Sequence, residues 1–184
     1  MNEVLEILKY TIPAIIVLIA SYMIVNKFLV TQMQKKQLAL IHDTQDVTIR
    51  LRLQAYERMV LFIERITPRQ LIPRVYISGM TVRDLQQAIL FNINAEFEHN
   101  LSQQIYVSKQ VWETVKNVKE QELNMTIHIG RTMNPDAPGK DLHVRIVEYV
   151  ASVEGGLPTD VALQIINEEV RKVLSFGAMG TTGS

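Results

Sequence analysis

An all-α fold, one N-terminal transmembrane helix followed by a cytosolic helical bundle of about five helices, is what this sequence predicts. Three observations carry it. Tyr10 to Asn26 (YTIPAIIVLIASYMIVN) is an uncharged run bounded by Lys9 and Lys27. Downstream, apolar residues recur at alternating spacings of three and four, the mark of helices with one buried face. Period-two alternation is confined to a short stretch, VTIRLRL, whose residues also fit a helical face.

The apolar run is long enough to cross a bilayer. At about 1.5 Å per residue, Tyr10 to Asn26 spans roughly 26 Å and Tyr10 to Val30 roughly 31 Å, close to a hydrocarbon core of about 30 Å. Lys27 can snorkel to the interface, and Pro13 falls in the first turns, where it disturbs a helix least. A cleaved signal peptide would want a basic start and a small-residue cleavage site; Glu3 and Glu6 oppose Lys9, and no A-x-A pattern follows. Lys9 and the α-amino group lie on one side of the span, Lys27, Lys35 and Lys36 on the other. The positive-inside rule then puts the N-terminus outside and the C-terminal part in the cytoplasm. The expected location is a bacterial inner membrane.

From Thr31 the chain stays helix-compatible, and residues 31–46 are expected to form a stalk or linker, interrupted at His42, Asp43, Thr44, Gln45 and Asp46 because such side chains favour caps and turns. A helical domain is expected over 47–175. Its first helix runs from about Leu51 to Ile66, on a face built from Ile49, Leu53, Tyr56, Val60 and Ile63 with a neighbouring stripe of Leu51, Ala55, Met59, Phe62 and Ile66; Thr67-Pro68 ends it. A loop with Pro68, Pro73 and Gly79 leads to Thr81-Val82-Arg83-Asp84, which has the form of a capping box. The next helix places Leu85, Ile89, Ile93 and Phe97 on one side. Ser108 caps another carrying Val111, Val115 and Val118 beside Trp112. After the turn cluster MNPDAPG (133–139), Leu142, Ile146, Tyr149 and Val153 keep heptad spacing to a stop at Gly155-Gly156. Thr159 opens the last helix, with Leu163, Ile166, Val170 and Val173 inward, and 176–184 (FGAMGTTGS) is expected to be a disordered tail.

Composition narrows function more than it defines it. Among 184 residues, 19 Lys+Arg balance 19 Asp+Glu, so the overall basic excess of a nucleic-acid binder is missing. No cysteine is present, which excludes disulfides, thiolate metal sites and thiol nucleophiles. Charge is uneven: residues 27–74 hold nine Lys+Arg against four Asp+Glu, and 75–184 hold nine against thirteen. Lys27, Lys35, Lys36, Arg50 and Arg52 are candidates for contact with anionic headgroups, worth at most about 1 kcal/mol each near the surface. The bland reading is that the two halves pack on one another.

Glu96 and His99 form a Glu-x-x-His pair, the unit that di-iron bundles use twice. No second pair exists: Ala39, Met125 and Lys140 stand three residues before His42, His128 and His143. Catalytic, cofactor and metal sites are therefore not assigned, and the chain is not expected to be an enzyme; a metal-binding or enzymatic role through Glu96 and His99 is one alternative. G-x-S-x-G, Walker A, G-x-G-x-x-G and H-E-x-x-H patterns do not occur. A second alternative is a membrane-tethered ribosome or RNA contact through Arg50, Arg52, Arg58, Arg65, Arg69 and Arg74, although aromatics for base stacking are sparse there.

The segments LRLQAYERMVLFIERITP (51–68), EFEHNLSQQIYVS (96–108) and VWETVKNVKE (111–120), following an N-terminal span, resemble a family of uncharacterised single-span inner-membrane proteins of Bacteroidota. The resemblance covers roughly residues 1–125, and the last two helices rest on periodicity. It implies an inner-membrane location and a cytosolic helical domain, and it brings no activity or catalytic residue. The expected role is a non-enzymatic bitopic accessory subunit or self-assembling scaffold. Its partners would be the lipid bilayer and other membrane proteins or further copies of itself, with nucleic acid not expected. Leu51, Tyr56, Phe62, Ile63 and Trp112 are the candidate partner or oligomer interface, because the Leu51–Ile66 face is wider than one contact stripe needs.

Overall fold

Between Ala14 and Ile66 the chain contains neither Pro nor Gly, and it forms a single helix, α1 (Asn2–Ile66). In this computed structural model the backbone is described for residues 2–153 and 156–181, and side chains for the same residues except 2–11, 13, 14, 38, 39, 41–46 and 176–181. The interruption expected at 42–46 does not occur: the backbone there is helical. Asp, Thr, His and Gln are only mildly unfavourable inside a helix, by less than about 1 kcal/mol each, and do not outweigh the turns on either side. Thr31 illustrates how such a residue fits, its hydroxyl donating to the Lys27 carbonyl at 2.8 Å.

The chain divides into two compact units, Met1–Val47 and Thr48–Ser184. In the first, Ile15–Gln37 is a 23-residue helical segment of mean hydropathy 1.7, long and apolar enough to cross a membrane and with none of it buried by the protein. Membrane anchors and signal sequences share that property.

The second unit contains the end of α1, then α2 (Pro68–Val75), α3 (Val82–His99), a short 3-10 helix (Leu101–Ile105), α4 (Lys109–Arg131), α5 (Gly139–Ser152) and α6 (Pro158–Thr181). The fold is all-α. Among the described residues the nearest approach to a sheet is one isolated bridge, Thr81 with Pro138.

α2 corrects the loop expected at 68–80. Pro68 occupies the first turn of α2, where its missing N–H is one the helix cannot use. Pro73 removes one further bond, yet Leu71 and Ile72 are each only 1% exposed, and their burial holds the turn in place. Arg74 reaches back to donate to the carbonyl of Arg65 at 3.2 Å, satisfying one of the free carbonyls at the end of α1.

α3 and α4 form as the sequence indicates. Thr81 accepts from the Asp84 N–H at 3.2 Å and donates its own N–H to the Asp84 carboxylate at 3.0 Å, a complete capping box. The next free N–H groups of α3 go to the α4–α5 loop, Val82 to the Ala137 carbonyl at 2.8 Å and Arg83 to that of Pro135 at 3.0 Å. Ser108 caps α4 by accepting from Val111 at 3.3 Å.

The core unites α1 (Tyr56, Met59, Phe62, Ile63, Ile66) with Leu71 and Ile72 of α2, Leu85, Ile89 and Ile93 of α3, Val111, Val115 and Val118 of α4, Leu142 and Ile146 of α5, and Ala162, Ile166 and Val173 of α6. Tyr149, in heptad register with Leu142 and Ile146, is 47% exposed. α6 begins at Pro158, one residue before Thr159, and continues as helix through Thr181 where a disordered tail is expected from 176; residues 182–184 and Gly155 lie outside the described residues.

Candidate functional site

The apolar face of α1 is where the expected interface meets its correction. Tyr56, Phe62 and Ile63 are each fully buried by the protein's own helices, so they are not available to a partner. Periodicity shows that a helix face is apolar and not how many neighbours cover it. Phe97 packs edge-on against Phe62, with ring centroids 5.8 Å apart, and stacks on Trp112 at 5.4 Å. The Lys119 ammonium sits 4.8 Å from the Phe97 ring. Trp112, partly buried, thus spends one ring face inside the domain. Leu51, at 41% exposed, is the one member of the expected set that stays largely open.

Of the basic candidates, Lys27, Lys35, Lys36 and Arg50 are exposed and Arg52 is half-buried. The arginine-rich segment is not one free array. Arg65 pairs with Glu96 at 2.9 Å, and Arg74 is engaged at the end of α1.

Glu96 and His99 line an open polar groove of about 340 Å³ with Gln54, Glu57, Arg58, Leu61, Arg65 and Asn100. The Glu96 carboxylate there is committed to Arg65, and among the described residues no group of three His, Asp or Glu side chains converges as metal ligands would.

A cavity of about 410 Å³ opens elsewhere on the domain, between α4, α5 and the start of α6. Its walls are largely apolar: Pro68, Met125, Ile129, Val150, Val153, Leu157 and Pro158. Gln121, Asn124, His128 and Tyr149 complete them, and Glu122 lines it. Glu122 is 7% exposed, and on its inner side it borders a small void among Ile66, Leu71, Ile72, Ile89, Ile93 and Ile146. Among the described residues nothing donates a hydrogen bond to its carboxylate and no cation pairs with it. Every fully buried side-chain nitrogen or oxygen among those residues does have a partner. The Glu122 oxygens must therefore keep their small remaining contact with the cavity. Burial pushes this carboxyl up to about 7, because the charged form has lost water and gained no counter-charge.

Sequence reasoning passed over Glu122, although a signal exists. Val111, Val115, Val118, Glu122, Thr126 and Ile129 all lie on the buried stripe of α4. An acidic residue in register with that stripe either finds a partner or faces a space.

An all-α domain with an open, largely apolar cavity that holds one buried carboxyl, on a chain that also carries an exposed apolar helix of membrane-spanning length, defines the class. The chain belongs to a family of unknown function, DUF7935, which it matches over residues 2–173. The match passes well beyond residue 125, the limit of the resemblance legible in the sequence, and takes in α5 and most of α6. No curated protein and no solved structure gives a match.

Proposed function

We propose that this chain is a non-enzymatic bitopic protein of the bacterial inner membrane, its N-terminus outside and its helical domain cytoplasmic, acting there as an accessory subunit or a self-assembling scaffold. The observation that carries the reading is the Ile15–Gln37 helix, wholly exposed on a chain that also builds a separate folded unit. An apolar surface of that size left in water favours a membrane or another apolar surface. Orientation is supported by Lys27, Lys35 and Lys36, in the C-terminal half of that helix, against Lys9, and the same three lysines are candidates for contact with anionic headgroups.

With Tyr56, Phe62 and Ile63 buried, partner contact falls to exposed apolar side chains of the domain. Phe91 on α3 and Ile105 in the 3-10 helix, 72% and 73% exposed, lead that set, with Leu61 at 51%. The test is extraction of the tagged full chain from its native membrane in mild detergent, followed by native mass measurement and identification of what co-purifies. An uncleaved chain in a defined complex or a discrete homo-oligomer supports the proposal. A chain shortened by loss of the apolar segment, or one that is monomeric and alone, overturns it.

A further inference from the structure

We infer that the cavity between α4, α5 and the start of α6 is a binding site for a small hydrophobic monoamine, its ammonium group seated on the Glu122 carboxylate and its apolar body against Met125, Ile129, Val150 and Leu157. The volume, about 410 Å³, is of the size that encloses a small organic ligand. The walls select an apolar body. The one acidic group on its wall, Glu122, is 7% exposed and without a donor or cation among the described residues. An ionised carboxylate offers acceptors only, so what completes it is a donor, and a cationic donor completes it best.

A buried acid with no partner is a standing cost to the fold, relieved by protonation or by a bound cation. A divalent metal does not suit the site, since among the described residues no group of three His, Asp or Glu side chains gathers there. An ammonium needs one carboxylate and tolerates apolar neighbours. A lysine side chain from another protein carries the same ammonium, but its thin stem leaves the apolar walls largely uncovered, whereas an aryl or branched alkyl body covers them.

Binding of a cation holds Glu122 ionised, so affinity rises with pH until the carboxyl is fully deprotonated. The other titratable groups on the cavity wall are His128 of α4 and Tyr149 of α5; α2 and the Leu157–Pro158 segment contribute apolar side chains, and α3 presents Ile89 and Ile93 behind Glu122. His128 and Tyr149 are common to the wild type and a Glu122 variant, so the comparison of the two isolates Glu122.

The experiment is calorimetric titration of the full chain in lipid nanodiscs, with empty nanodiscs subtracted. The probes are 2-phenylethylamine, the neutral 2-phenylethanol and Nα-acetyl-lysine methylamide. Expected are saturable binding of the amine at pH 8, at least about tenfold weaker binding of the alcohol, and a loss of at least about tenfold for the amine in Glu122→Gln. Affinity for the amine should weaken from pH 8 to pH 5.5 more steeply in the wild type than in the variant. Met125→Trp, which fills the cavity and leaves the carboxylate in place, should also abolish binding and serves if Glu122→Gln does not fold. Equal binding of amine and alcohol, unchanged binding in both variants, or no binding at millimolar amine overturns the inference. Preference for the lysine derivative overturns the assignment to a small molecule.

Discussion

The hydroxyl of Tyr56, in the C-terminal part of α1, accepts a hydrogen bond from the backbone N–H of Ser108 at 3.2 Å, joining positions 52 residues apart. Ser108 is itself the cap of α4, so one buried ring fixes where α4 begins relative to α1. α6 reaches the same corner. The Glu169 carboxyl is held below its usual value by its hydrogen bond from Lys172, and to a smaller degree by Ser108. Tyr56→Phe keeps the ring and deletes only the acceptor. The expected cost is about 1 kcal/mol, read as a lower urea midpoint with unchanged slope. A loss above about 3 kcal/mol would mean that the ring itself has shifted.

Two glycines should respond differently to the same substitution. A Cβ on Gly139 would stand 2.9 Å from the Met80 carbonyl oxygen and 3.0 Å from that of Thr81, which are backbone atoms. The Gly139 N–H also donates to Met80 at 2.8 Å, so the two loops cannot part without losing that bond. Gly139→Ala should destabilise by about 1 to 3 kcal/mol. At Gly130 the clash is with the Gln86 side-chain amide, at 2.5 Å, which can swing away at the expense of its 3.3 Å bond to the Thr126 carbonyl. Alanine also gains up to about 1 kcal/mol of helix propensity there, so Gly130→Ala should be close to neutral. Paired thermal melts of the two variants check the contrast.

Thr81→Ala removes one half of the α3 capping box, and the expected loss is about 1 kcal/mol of stability. The Asp84 carboxyl lies below its usual value, first because the Thr81 hydroxyl donates to it at 2.7 Å and then because of the Thr81 backbone N–H. A depressed carboxyl stabilises the fold above its unfolded value and stops doing so as pH falls through its folded value. The Thr81→Ala deficit should therefore narrow on acidification below the ordinary carboxylate range. A deficit that stays constant down to pH 2 in denaturant titrations would show that Asp84 takes no part in it.

α3 and α4 are readable because two signals agree in each, a cap residue and an apolar stripe. α2 is not, since Pro68 and Pro73 read as breakers one at a time, and only the burial of Leu71 and Ile72 shows that the turn is held from outside. The helical run through 42–46 is illegible for the converse reason: His42, Asp43, Thr44, Gln45 and Asp46 are each weakly unfavourable in a helix, and the long helix on either side carries them. The fate of Tyr56, Phe62 and Ile63 depended on tertiary contacts such as Phe97 on Phe62, which periodicity does not contain. The cavity was hidden because Glu122 occupies an apolar register, and a search for acids that form pairs passes over one that stands alone.

Glu122 should make stability fall as pH rises, the reverse of the Asp84 case. Its carboxyl is near 7 in the folded protein against 4.5 as its ordinary value. Between those values the folded chain binds more protons than the unfolded one, so stability declines across that window and levels off above it. The shift corresponds to about 3 kcal/mol as an order of magnitude. Glu122→Gln cannot ionise, so the variant should lack this decline. In urea titrations of the full chain in mild detergent, wild type minus Glu122→Gln should become less favourable by up to about 3 kcal/mol from pH 4.5 to pH 8. A difference that is flat over that range would show that the carboxyl keeps its ordinary value, because water or a cation entering the cavity supplies what the protein does not.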